Sequence, residues 1–117
     1  MKWTDEEFII QRGFIRWFGY AHPRVVIFHI PNEGKRSKIY GAKLKAAGLK
    51  PGMPDLCIPR WSLWIEVKSG RGKLSPDQEQ AIAELRADGQ AVYICHSIDD
   101  CMAAVEQHLA QIAEVLS

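Results

Sequence analysis

Between Gly52 and Lys68 three charge-handling side chains, Asp55, Glu66 and Lys68, are spaced for joint chemistry. The apolar segments Leu56 to Pro59 and Leu63 to Val67 flank the turn-like Arg60-Trp61-Ser62, a pattern that predicts an antiparallel hairpin. With a short loop centred on Arg60 and Trp61, Ile58 faces Leu63 and Asp55 faces Glu66. Directly opposed residues on one face have Cβ atoms roughly 4.5–5.5 Å apart. Lys68 follows Glu66 at the strand period and leaves the same face. Two carboxylates at ~4 Å repel by roughly 4 kcal/mol at an effective dielectric of ~20. Either one takes a proton or a cation lies between them. The alternative is a solvated hairpin end, with Glu66 merely paired to Lys68 and Asp55 opening a strand. The surroundings favour the cation, because Trp64, Ile65 and Val67 make the strand apolar on both faces. A Glu and a Lys in such a run are unfavourable unless they have a chemical task.

Other elements must hold this hairpin. Residues from Asp5 to about Gly19 read as a helix, with Thr4 as N-cap and Thr4 and Glu7 as a capping box. The stripe Glu7, Ile10, Phe14, Phe18 turns Glu7 towards the core, so this carboxylate has both a capping role and a possible site role; Glu6 is the fallback. Val25 to Ile30 is a β-branched strand in which His29 is read as structural, ordering the next turn. Pro31-Asn32-Glu33-Gly34 is loop chemistry, and Ser37 to Ala47 a short helix ended by Gly48. Gly41 within it marks close packing, approach of a DNA backbone or a broken helix. Pro51 and Pro54 restrict the chain just before Asp55. Ser69 to Lys73 is a basic loop suited to phosphate contact or a plain connector. Ser75 to Asp88 is a helix with Ser75 as cap, Pro76 at its first position and Gly89 as stop. Gln78 completes a capping box there and also shares the inward stripe with Ile82 and Leu85. Ala91 to Cys95 is a strand. Ser97 caps a long helix whose stripe Ile98, Met102, Val105, Leu109, Ile112, Leu116 is core or an oligomer interface, with His108 beside it at the surface. The order α-β-(α)-β-β-α-β-α predicts an α/β fold with a central mixed β-sheet flanked by helices.

The 117 residues are expected to form a single domain, 1–117, with one hydrophobic core. The net charge of +1 is uninformative; its distribution is not. From Pro31 to Lys50, Lys35, Arg36, Lys38, Lys43, Lys45 and Lys50 stand against Glu33 alone, a basic segment directly before the carboxylates, where a polyanion is steered. A solvated lysine-rich helix face is the alternative. Cys57, Cys95 and Cys101 match no zinc spacing and read as reduced core residues, which implies a cytosolic setting. No run approaches a membrane span, and no secretory leader pattern opens the chain. Trp3, Trp17, Trp61 and Trp64 are too scattered for a base-stacking platform. Trp61, at the hairpin tip, is expected near a partner.

Pro54-Asp55 followed by Glu66-Val67-Lys68 resembles the signature of the PD-(D/E)XK nucleases. The run Leu44 to Leu56, with His29-Ile30-Pro31-Asn32-Glu33-Gly34 and Ser75-Pro76-Asp77-Gln78, resembles the VRR-NUC branch of that superfamily, from about Glu7 to Gln78. The resemblance implies a restriction-endonuclease-like core and a deoxyribonuclease that uses Mg²⁺ or Mn²⁺. Asp55, Glu66 and the backbone carbonyl of Val67 are then metal ligands. Glu7 helps with a second ion or a water, Lys68 stabilises the reacting charge, and Gln78 binds water or phosphate beside it. Asn32 matches the family motif and lines the cleft, while Lys35, Arg36, Lys38, Lys43, Lys45, Lys50, Arg71 and Lys73 hold the DNA backbone. Stand-alone domains of this length resemble Holliday-junction resolvases, which implies a homodimer acting on branched DNA in DNA repair, in the cytoplasm of a bacterial or phage-infected cell. A non-catalytic DNA-binding module of the same fold is the alternative.

Overall fold

The structure is a computed structural model that describes residues 4–31 and 37–116. Helix α1, Asp5–Ala21, begins as its capping box dictates: the Glu7 amide donates to the Thr4 hydroxyl (3.1 Å) and the Thr4 amide to Glu7 Oε1 (3.4 Å). It runs slightly beyond Gly19 and closes at His22, where Pro23 disfavours a further helical residue. Its buried stripe is Glu7, Ile10, Gln11, Phe14 and Phe18.

The sheet has the order β1(Phe28–His29), β2(Leu56–Ile58), β3(Leu63–Val67), β4(Ala91–Cys95). The hairpin register is the one expected, Leu56 to Ile65, Cys57 to Trp64 and Ile58 to Leu63, and β4 joins β3 in parallel. The sheet is therefore mixed. β1 is shorter than the β-branched run from Val25 to Ile30, because its neighbour β2 offers only a short ladder and the Val25 amide is used in a turn with His22. Pro59–Trp61 forms a 3-10 turn that ends on Ser62 in the left-handed region (φ 50°).

Alternation divides β2 and β3 between two faces. Leu56, Ile58, Leu63, Ile65 and Val67 pack with Ile10, Phe14 and Phe18 of α1 and with Cys101, Ala104 and Val105 of α4, Ile98–Leu116. Glu66 and Trp64 point to the opposite face, where Gln78 of α3, Pro76–Ala87, and Gln90 donate to and accept from them. The short helix α2, Lys38–Ala46, is capped by Ser37 and buries no side chain. Among the described residues a Cβ on Gly41 would meet nothing within 4 Å, and the helix is unbroken there.

The Trp61 ring is partly buried, 5.8 Å from Phe18 and 4.9 Å from His22, because the 3-10 turn folds the hairpin tip back onto α1. One expectation is corrected. His108 is half-buried rather than a surface residue, with Nε2 2.7 Å from the Trp61 carbonyl, which ties α4 to that turn. The α4 stripe is core through Leu109 and runs off it at its end, where Leu116 is exposed. All three cysteines are free and buried.

Gly52 locks the connector to α3. It has φ 81°, and a methyl added to it would overlap the Asp77–Gln78 peptide. The first turn of α3, and with it Gln78, sits where it does because position 52 has no side chain. Gly52→Ala is expected to destabilise the fold by roughly 2–4 kcal/mol, from φ strain and overlap together. Urea denaturation checks it; a midpoint equal to wild type contradicts the packing role.

Candidate active site

The site forms at the end of the hairpin away from its turn. Asp55 lies one residue before β2, where its side chain replaces main chain in the ladder: the Val67 amide donates to Asp55 Oδ2 at 2.7 Å. Asp55 and Glu66 are 6% and 2% exposed, lie on one face and are hydrogen-bonded to each other. The expected convergence is present. Lys68, 4% exposed, places Nζ 3.7 Å from Glu66 Oε2, and its amide donates to the Cys95 carbonyl. Gln78 completes its capping box, Oε1 accepting from the Ser75 amide (2.9 Å), and is turned inward, where Nε2 donates to Glu66 Oε2 (3.1 Å).

Burial and the neighbouring Asp55 charge push the Glu66 carboxyl up to about 8, against the opposing pull of the Lys68 ammonium. At neutral pH the pair therefore holds a proton between two hard oxygen donors, with a buried ammonium alongside. The Asp55 and Glu66 pair fits a divalent cation in chemical type, because a cation in place of that proton removes the repulsion that retains it. Among the described residues, no three His, Cys, Asp or Glu side chains are grouped to hold a metal ion. A cation here would be held by two carboxylates, with main chain, water and substrate completing its shell. The Val67 side chain is in the core, so only its backbone is available to the site.

Glu7 does not join the carboxylates in such a cluster. Its Oε2 accepts from the Ser69 amide (3.1 Å), and the fallback residue Glu6 accepts from Gly70 (3.2 Å). Together with His96, whose Nδ1 is 3.1 Å from the Ser69 carbonyl, they fix the chain just after Lys68. His29 reaches the Asp55 carbonyl with Nδ1 (2.9 Å) and meets Gln11 Nε2 (3.2 Å), contacts no local pattern reveals.

Of the expected DNA contacts, Asn32, Lys35 and Arg36 lie outside the described residues. Lys38, Lys43 and Lys45 are exposed on α2, and Arg71 and Lys73 are exposed in the loop after the site. Lys50, also exposed, pairs with Glu84 of α3.

An α/β core with an acidic hairpin end and a lysine two residues beyond the second carboxylate is the arrangement of PD-(D/E)XK nucleases. The VRR-NUC domain model matches residues 10–99. The chain belongs to the VRR-NUC family, a family of nuclease domains. One solved structure, a "VRR_NUC domain protein", superposes with a TM-score of 0.70 at 24% identity, over 94% of this chain and 92% of that one. A second, a "VRR_NUC domain", gives 0.60 at 21% identity, over 88% and 97%. At those identities both show likeness of fold. The search of curated proteins returned no match. No helix among the described residues is long and apolar enough to cross a membrane.

Proposed function

We propose that this chain is a metal-dependent DNA endonuclease. The observation that carries the reading is the buried, hydrogen-bonded pair Asp55 and Glu66 with the Lys68 ammonium against it. A module that only binds DNA has no use for an acidic pair whose burial is this unfavourable. Asp55, Glu66 and the Val67 carbonyl would hold Mg²⁺ or Mn²⁺. When bound, that ion supplies charge neutralisation at the scissile phosphate and lowers the pKa of water. Lys68 stabilises negative charge developing at the phosphorus, a preorganised ammonium in a water-poor site. Gln78 keeps Glu66 turned towards Asp55, and Glu7 holds the backbone that follows Lys68. Lys38, Lys43, Lys45, Arg71 and Lys73 would contact phosphates.

The finer reading is structure-selective cutting of branched DNA by a homodimer. Each chain carries one such site, so paired nicks in opposite strands require two chains. The basic α2, with its lysines on an exposed helix that buries nothing, suits contact with duplex backbone rather than base edges.

The direct test incubates supercoiled plasmid and a four-way junction with the protein in Mg²⁺, Mn²⁺ or EDTA. Nicking in either metal and none in EDTA is expected; binding without cutting in both metals assigns the chain to the non-catalytic alternative. Light scattering at the same concentrations reads the dimer. DNA affinity in EDTA should fall steeply with salt, and Lys43→Ala with Lys45→Ala should reduce the slope of log K against log[salt] by about 2. An unchanged slope excludes α2 from the contact.

A further inference from the structure

We infer that His29, braced by Gln11, is a positioning residue for the candidate metal ligand Asp55; this rests on the metal-dependent reading above. Asp55 lies outside any strand, yet its carboxylate must meet Glu66 from a fixed backbone. The peptide is gripped from both faces of the sheet. On the α3 face Asp55 Oδ2 takes the Val67 amide (2.7 Å). At its carbonyl the Ile30 amide (2.8 Å) and His29 Nδ1 (2.9 Å) converge. His29 pairs with Leu56, whose side chain is in the core with α1, so the imidazole reaches Asp55 from the α1 face.

A carbonyl oxygen only accepts, so the imidazole proton sits on Nδ1. That leaves Nδ1 with no lone pair for Gln11 Nε2 at 3.2 Å. The Gln11 amide is then turned over, with Oε1 sharing the Nδ1 proton; which way an amide faces is assigned from its partners. Gln11 is 5% exposed, and as placed its Oε1 has no partner among the described residues. An apolar side chain would fill that place more favourably, so packing does not explain a glutamine there. What the Gln11 and His29 pair does accomplish is to hold the Asp55 peptide from the side that the carboxylates do not reach. Partners one shell out from a metal ligand set its orientation, and losing one typically weakens metal binding 10–100-fold.

The test measures Mn²⁺ binding to the metal-free protein by calorimetry, DNA cleavage, thermal midpoint, and DNA binding in EDTA. His29→Leu is expected to weaken Mn²⁺ binding at least about tenfold and to slow cleavage in proportion at fixed Mn²⁺. DNA binding in EDTA should be unchanged. His29→Asn, whose amide N–H stands near the place of Nδ1, should recover most of the loss. Should His29→Leu not fold, Gln11→Met is read instead, with an expected loss of about 3- to 10-fold, smaller than the 10–100-fold typical of removing such a partner outright. In the wild type, nitrogen NMR of the His29 ring should show the Nδ1–H tautomer; the Nε2–H form overturns the inference. So does unchanged Mn²⁺ affinity in the folded variant. Asp55→Asn separates the two levels. If it weakens Mn²⁺ binding while His29 variants do not alter it, only the inference fails; if Asp55→Asn also leaves binding intact, the metal reading itself fails.

Discussion

Asp55→Asn is expected to reduce DNA cleavage in Mg²⁺ or Mn²⁺ by at least about 10³-fold while leaving DNA binding in EDTA intact. The substitution is close to isosteric, so the side-chain oxygen can still accept the Val67 amide that fixes the end of the hairpin. The fold therefore survives, and the charge does not. A cation then faces Glu66 alone, with half the anionic charge of the pair and one hard ligand fewer, and is held more weakly and in a less fixed position. Lys68→Ala acts differently. It leaves both carboxylates in place and removes the ammonium 3.7 Å from Glu66 Oε2, so metal binding should persist while cleavage falls by about 10²- to 10³-fold. Single-turnover cleavage across a Mn²⁺ titration separates the two: Asp55→Asn moves saturation to higher Mn²⁺, Lys68→Ala keeps it at a lower plateau. Cleavage by Asp55→Asn within tenfold of wild type would remove the carboxylate pair from the mechanism.

The contrast between these residues and the rest of the site follows from how each is encoded. Asp55, Glu66 and Lys68 were legible because a hairpin converts sequence spacing into facing positions. Short apolar runs around one turn permit few registers, and the one expected is observed. Gln78 was legible for a similar reason, since Ser75, Pro76 and Gly89 delimit α3 and set its inward stripe. The chain of contacts behind the site was not. Glu7 meets Ser69, and Gln11 meets His29, across large sequence separations, and such pairings leave no local periodicity. The inward turn of Trp61 depends on His22 and Phe18, and the place of His108 on the Trp61 carbonyl, so neither could be read from its own neighbours. Lys50 looked like one more cation in a basic run until α3 brought Glu84 against it. Strand propensity likewise over-extended β1, because ladder length is set by the neighbour and not by the run of β-branched residues.

The same burial that makes the pair reactive should make the metal-free protein sensitive to base. Glu66 is held near 8 in the folded chain, against an ordinary value of 4.5. Below pH 4.5 the carboxyl is protonated whether the chain is folded or not, and its contribution to stability is fully present. Between there and about 8 the folded state holds a proton that the unfolded state has released, so rising pH favours unfolding. Above about 8 the contribution is gone. At about 1.4 kcal/mol per pH unit the loss across this window is roughly 3 to 5 kcal/mol. The difference between wild type and Glu66→Gln isolates it, since glutamine keeps the neutral shape and a donor for Asp55 at every pH. In EDTA the two should have similar thermal midpoints at pH 5. At pH 8.5 the wild type should melt well below the variant, though the variant is expected to be inactive. Saturating Mn²⁺ should close the gap for the wild type alone, because a ligand bound only by the folded state stabilises it. Calorimetry at pH 7 should show about one proton released per metal-binding event. Parallel melting curves for the two proteins from pH 5 to 8.5 would mean that Glu66 is ionised throughout and that Lys68 alone neutralises it. A second positive charge would then find no displaced proton to replace.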